Sequence, residues 1–138
     1  MLRNLIEQGY GEAEDFNCAE KILYGANEVY QLSLAPEALR IASGFGGGMA
    51  IGSICGGLTA AIMVLGILLV KDRAHESDKI KILTQELFAT YQKEMGSIDC
   101  IPLKTHYRTE DVKCRHVIAK AAGVLDTIIK RERAIMQQ

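Results

Sequence analysis

"GFGGGMAIGSICGGLTAAIMVLGILLV", Gly44 to Val70, contains no charged side chain. A glycine-rich stretch runs into a long apolar one, with Cys55 at the junction. Four readings compete for it: a membrane span, a phosphate loop, a core helix, and a helix start that holds a thiolate. The uninterrupted part, Ile54 to Val70, is at the short end of the about 17–25 residues a membrane helix needs. Gly52 to Gly56, "GSICG", also satisfies G-x-x-x-G. Yet the segments around it are amphipathic, and each apolar face needs a surface to bury against. A helix that is apolar all round, packed centrally among amphipathic ones, meets that need. A phosphate loop would end in G-K-[ST], which "GFGGGMAIG" lacks. No strand precedes it and no acidic residue follows as in a dinucleotide fold. The stretch therefore reads as a flexible turn followed by a buried helix from about Ser53 to Val70.

The rest of the chain supports a helical fold. Of its 138 residues, 49% are hydrophobic and 24% charged, with 2 Pro and no Trp. This is a globular composition, sparse in β-type alternation. Leu2, Leu5 and Ile6 share one helical face, and Gly9 to Gly11 ends the segment. Asp15 or Asn17 could cap the next helix, with Glu20 three after Asn17 as in a capping box, ahead of a stripe through Cys18, Ile22, Gly25, Val29 and Leu32. Pro36 suits the first turn of a short helix. His75 to Gly96 is amphipathic through Ile80, Leu83, Leu87, Tyr91 and Met95, and closes on a glycine. Ser97 to Asp111 reads as a loop carrying Cys100 and Pro102. The last helix is expected from Thr109–Asp111 onward, its stripe running through Cys114, Val117, Ile118, Ala121, Leu125, Ile128 and Ile129. The expectation is an all-α, compact single-domain bundle over residues 1–138, with about five or six helices around a central apolar one.

Net charge is -1, which gives no basic footprint for nucleic acid. Met1 to Gly11 carries Arg3 and Glu7 and lacks the apolar core of a secretory signal. The chain is therefore expected in the cytoplasm, without a membrane span. In that reducing compartment, cysteines serve as ligands, nucleophiles or core residues rather than as structural disulfides.

The four cysteines are Cys18, Cys55, Cys100 and Cys114. No two are spaced C-x-x-C, so spacing identifies neither a zinc ribbon nor a thioredoxin-type motif. Position says more. Cys18, Cys55 and Cys114 fall at or near predicted helix starts, where unpaired amides and the helix dipole favour a thiolate over a thiol. The competing reading is that they are small buried hydrophobes. His106 and His116 lie near Cys100 and Cys114 and are candidates for a metal site or, more simply, solvated side chains. Arg115 beside Cys114 either steadies a thiolate or faces water. Asp99 would raise the Cys100 thiol pKa if it lay close.

The segments "FNCAEKIL", "ASGFGGGMAIGSICGGLTAAIMVLG", "YQKEMGSIDCIPL" and "VKCRHVIAKAAGVL" resemble the C_GCAxxG_C_C family over Cys18 to about Leu125. The resemblance implies four functional cysteines and a redox role. It also implies genes often found near transporters, hence a transport-related redox partner. This chain departs from the C-G-A-x-x-G motif: "CGGLTA" has Gly57 for the alanine and Ala60 for the last glycine. Three functions follow. The first is thiol–disulfide chemistry in an oxidoreductase or electron carrier, with Cys55 as nucleophile, Cys18 resolving it, and Cys100 and Cys114 as a second pair. The second is a four-cysteine metal or iron–sulfur site. The third is a helical interaction module with inert cysteines and a face for homo-oligomer formation. No cofactor, substrate or reduction potential is assigned by the sequence.

Overall fold

The computed structural model describes residues 1–138 and contains seven α-helices and no strands. In chain order they are α1 (Leu2–Glu7), α2 (Cys18–Val29), α3 (Pro36–Leu39), α4 (Gly56–Leu69), α5 (Lys79–Met95), α6 (Cys100–Tyr107) and α7 (Arg115–Met136). The all-α bundle around a central apolar helix is what the sequence led us to expect. Helix α4 packs against α2, α5 and α7, and Leu58, Ala60, Ala61, Val64 and Leu65 on it are fully buried. With 14 residues it spans about 21 Å at 1.5 Å per residue, short of the about 30 Å hydrocarbon core of a bilayer. No helix of the chain is long and apolar enough to cross a membrane.

Local chemistry sets the boundaries. The expected capping box is formed: Asn17 Oδ1 accepts from the Glu20 amide and Glu20 Oε1 accepts from the Asn17 amide, each at 2.9 Å. Asn17 Nδ2 also donates to the Ser43 carbonyl at 3.0 Å, which ties the start of α2 to the glycine-rich turn. Gly96 ends α5 in the left-handed conformation with φ 83°, where glycine escapes the Cβ penalty. The turn ahead of α4 is left-handed as well. Gly47, Gly48, Met49 and Ala50 all have φ between 60° and 64°.

Two expectations are corrected. The stretch after Gly96 is not all loop: Cys100 to Tyr107 is helical. Asp99 occupies its N-cap, and Pro102 falls in the first turn, where a missing amide proton costs nothing. The last helix begins at Arg115 rather than at Thr109–Asp111. Thr109 and Lys113 instead close a tight bridge by mutual backbone hydrogen bonds of 3.3 and 2.8 Å, with Lys113 at φ 54°. That leaves Cys114 as the N-cap of α7 rather than inside its first turn.

Candidate functional site: four thiols at four helix starts

These boundaries give every cysteine the same kind of position. Cys18 is the first residue of α2 and Cys100 the first of α6; Cys55 caps α4 and Cys114 caps α7. The four helix starts converge. All four cysteines line one small cavity of about 30 Å³, shared with Gly47, Gly56, Leu103, Lys104 and Val117. All four thiols are free.

Backbone pairing holds the starts together. The Cys55 amide donates to the Ile98 carbonyl at 2.8 Å, and the Cys100 amide to the Ser53 carbonyl at 2.6 Å. These bonds satisfy donors that a helix start leaves without an intrahelical partner, and they tie the segment entering α4 to the segment entering α6. Glycines permit the approach. A Cβ on Gly56 would stand 2.5 Å from the Cys18 sulfur and 2.7 Å from the Phe45 carbonyl oxygen. A Cβ on Gly48 would run into the Ser53 backbone and come within 2.8 Å of the Cys100 Cβ. Tyr91 is fully buried, and its hydroxyl donates at 3.0 Å to the carbonyl of Val117, which lines the cavity.

The thiols sort by access. Cys55 and Cys100 are buried, whereas Cys18 and Cys114 are half-buried and also line an open cleft of about 410 Å³ outside the cavity. This overturns the expectation of a depressed pKa at Cys55. Burial pushes that thiol from 9.0 up to about 12, and the neighbouring Cys18 adds to the rise. The amides of Gly57 and Leu58 at the start of α4 do pull it down, as a helix start should, but desolvation outweighs them. Cys114 is also raised, first by burial, with Arg108 and Lys104 opposing and Cys18 and Cys100 assisting. Cys18 and Cys100 therefore act electrostatically on both other thiols.

The remaining candidates stand apart. Arg115 is committed to Glu12 through two hydrogen bonds of 2.7 and 2.6 Å. His106 and His116 are exposed and lie with ring centroids 6.3 and 5.5 Å from that of Tyr107; neither lines the thiol cavity. Asp99 is exposed at the α6 cap. No three Cys, His, Asp or Glu side chains are disposed to hold a metal ion. The sequence does not single out Lys104 and Arg108, because the run from Ser97 to Asp111 reads as a loop. The signal was present: Cys100, Lys104 and Arg108 recur every four residues, which is one face of a helix.

Seven helices that deliver four sulfurs to one small cavity define a helical protein built around a cysteine cluster. The chain belongs to the C_GCAxxG_C_C family, described as "Putative redox-active protein (C_GCAxxG_C_C)", which matches residues 16–128. No curated protein and no solved structure matches it.

Proposed function

We propose that the protein is a thiol–disulfide redox protein, an oxidoreductase or electron carrier of the cytoplasm, working through Cys18, Cys55, Cys100 and Cys114. The observation that carries this reading is the convergence of all four helix-start cysteines on one cavity. Four inert cysteines serving as core filler have no reason to meet.

The accessible pair opens the chemistry. Cys18 sits at the positive end of α2 and on the cleft, so its thiolate attacks one sulfur of a substrate disulfide. That S–S bond breaks, the departing thiolate takes a proton from water, and Cys18 holds a mixed disulfide. Cys114, on the same cleft, then attacks the Cys18 sulfur and releases the second substrate thiol. Two electrons and two protons have left the protein, which now carries a disulfide. Cys55 and Cys100 form an inner, buried pair that exchanges with the outer one. This reverses the roles first expected of Cys55 and Cys18, because burial disfavours the Cys55 thiolate.

The test is mass mapping of cysteine linkages in native protein titrated with oxidant. Linkages confined to these four residues are expected, and Cys18→Ser should abolish exchange with a disulfide reagent. The reading fails if no thiol reacts until the chain is unfolded, which would favour an interaction module. It fails equally if protein purified without oxygen carries a stoichiometric metal and no free thiol.

A further inference from the structure

The cleft outside Cys18 and Cys114 is wide enough for a small ligand: its volume of about 410 Å³ lies in the 300–1,000 Å³ range of ligand pockets. Its charges lean positive, with four cations against three carboxylates. Lys21, Lys104, Arg108 and Lys113 line it, and none of them is in an ion pair. Of the carboxylates on its wall, Glu12 is held by Arg115. Only Asp15 and Asp111 are left to face four free cations.

Placement ties these cations to the thiols. Lys21 follows Cys18 by three residues on α2, and Lys104 follows Cys100 by four on α6. Both spacings put the pair on one helical face. Arg108 continues the α6 face, and Lys113 precedes Cys114. Lys21 is only 9% exposed and is in no salt bridge, although its charge reaches Glu12, whose main partner is Arg115. Its stem packs over Gly11 and Phe16 while its head opens onto the cleft. A lysine with a buried stem and no salt bridge, on the wall of the cleft that Cys18 and Cys114 also line, favours an anionic ligand there. The chain as a whole is slightly acidic, so the patch is a local feature and not a reflection of net charge.

We propose that the substrate of the thiol site is a small disulfide bearing carboxylates, held by Lys21, Lys104 and Arg108 while Cys18 attacks it. This rests on the thiol–disulfide reading above and adds the charge of the substrate. The exchange balances as written there: one substrate S–S bond breaks, one protein S–S bond forms, and two carboxylate-bearing thiols leave.

Three probes test it: 3,3′-dithiodipropionate (anionic), 2-hydroxyethyl disulfide (neutral) and cystamine (cationic). Each rate with reduced native protein is divided by the rate of free 2-mercaptoethanol with the same probe. The expected order is anionic, neutral, cationic, with about a tenfold or greater span at low salt that shrinks as salt rises. Lys104→Gln combined with Arg108→Gln, both exposed side chains, should narrow the span severalfold. Lys93→Gln, a remote exposed lysine on α5, should leave it unchanged. Equal normalised rates for all three probes would overturn the charge assignment while leaving the thiol chemistry standing. Silence toward all three in the folded chain would overturn the thiol chemistry, and this proposal with it.

Discussion

At the Cys55 sulfur, amides of α4 favour the thiolate while the surrounding hydrocarbon favours the thiol. The thiol prevails, its pKa pushed up to about 12 by burial, and each unit of that rise lowers the thiolate fraction tenfold near neutral pH. Iodoacetamide at mildly alkaline pH should therefore modify Cys18 and Cys114 well before Cys55, as read by peptide mass mapping. Cys55 reacting first would mean its sulfur is wet. The adjacent glycines make a sharper pair. A Cβ on Gly57 would meet the Ala121 Cβ at 3.4 Å and the Cys55 sulfur at 3.6 Å, which is ordinary contact. Gly57→Ala should stabilise the chain by about 0.5–1 kcal/mol through helix propensity. Gly56→Ala drives its methyl into the Cys18 sulfur and a rigid carbonyl. It should cost about 1–3 kcal/mol and alter the labelling rate of Cys18. Urea unfolding of the two variants compares them directly, and equal stability would contradict the packing described here.

At the scale of elements, α1 is a short helix that cannot stand alone, and α7 supplies its cap. Asp126 Oδ1 accepts from the Leu2 amide at 3.2 Å, and Oδ2 from the Arg3 amide at 2.9 Å. The Tyr30 hydroxyl from the C-terminal end of α2 donates to the same carboxylate. One side chain thus joins three helices. Asp126→Ala should destabilise the protein by about 2 kcal/mol and speed amide exchange in Leu2–Glu7 ahead of the rest. Uniform exchange would argue that burial of Leu2 and Ile6 alone holds α1. The sequence made the face of α1 legible through its apolar spacing, but not its anchor, because Asp126 is 124 positions away from Leu2. The same distinction runs through the site. Cys18 at a helix start was readable, since its capping box is local. Cys100 was not, because its helix depends on bonds to Ser53 that only the folded chain makes. Propensity could not reveal that the four helix starts meet, and so could not foresee the burial that governs Cys55.

Across the whole molecule, several buried groups are neutral when protonated and hold their protons more tightly in the folded chain than in the unfolded one. Cys55 is raised to about 12 by burial, and Tyr10 likewise to about 12. Tyr30 and Tyr91 are shifted further in the same direction, again chiefly by burial. While all of them are protonated in both states, below about pH 8, their contribution to stability is complete. Above that, the unfolded chain releases protons that the folded chain keeps, and stability falls as pH rises toward 12. Cys55 alone can supply a slope of up to about 1.4 kcal/mol per pH unit over that interval, and the tyrosines steepen it above about pH 10. Urea unfolding of reduced protein at intervals from about pH 6.5 to about pH 11 should show a plateau and then a decline. Cys55→Ala lowers the plateau by leaving a cavity but should flatten the first part of the decline, a change of slope that cavity formation alone does not produce. A wild-type stability that stays level through this range would mean that solvent reaches the thiol cavity, and the separation of inner from outer cysteines would fall with it.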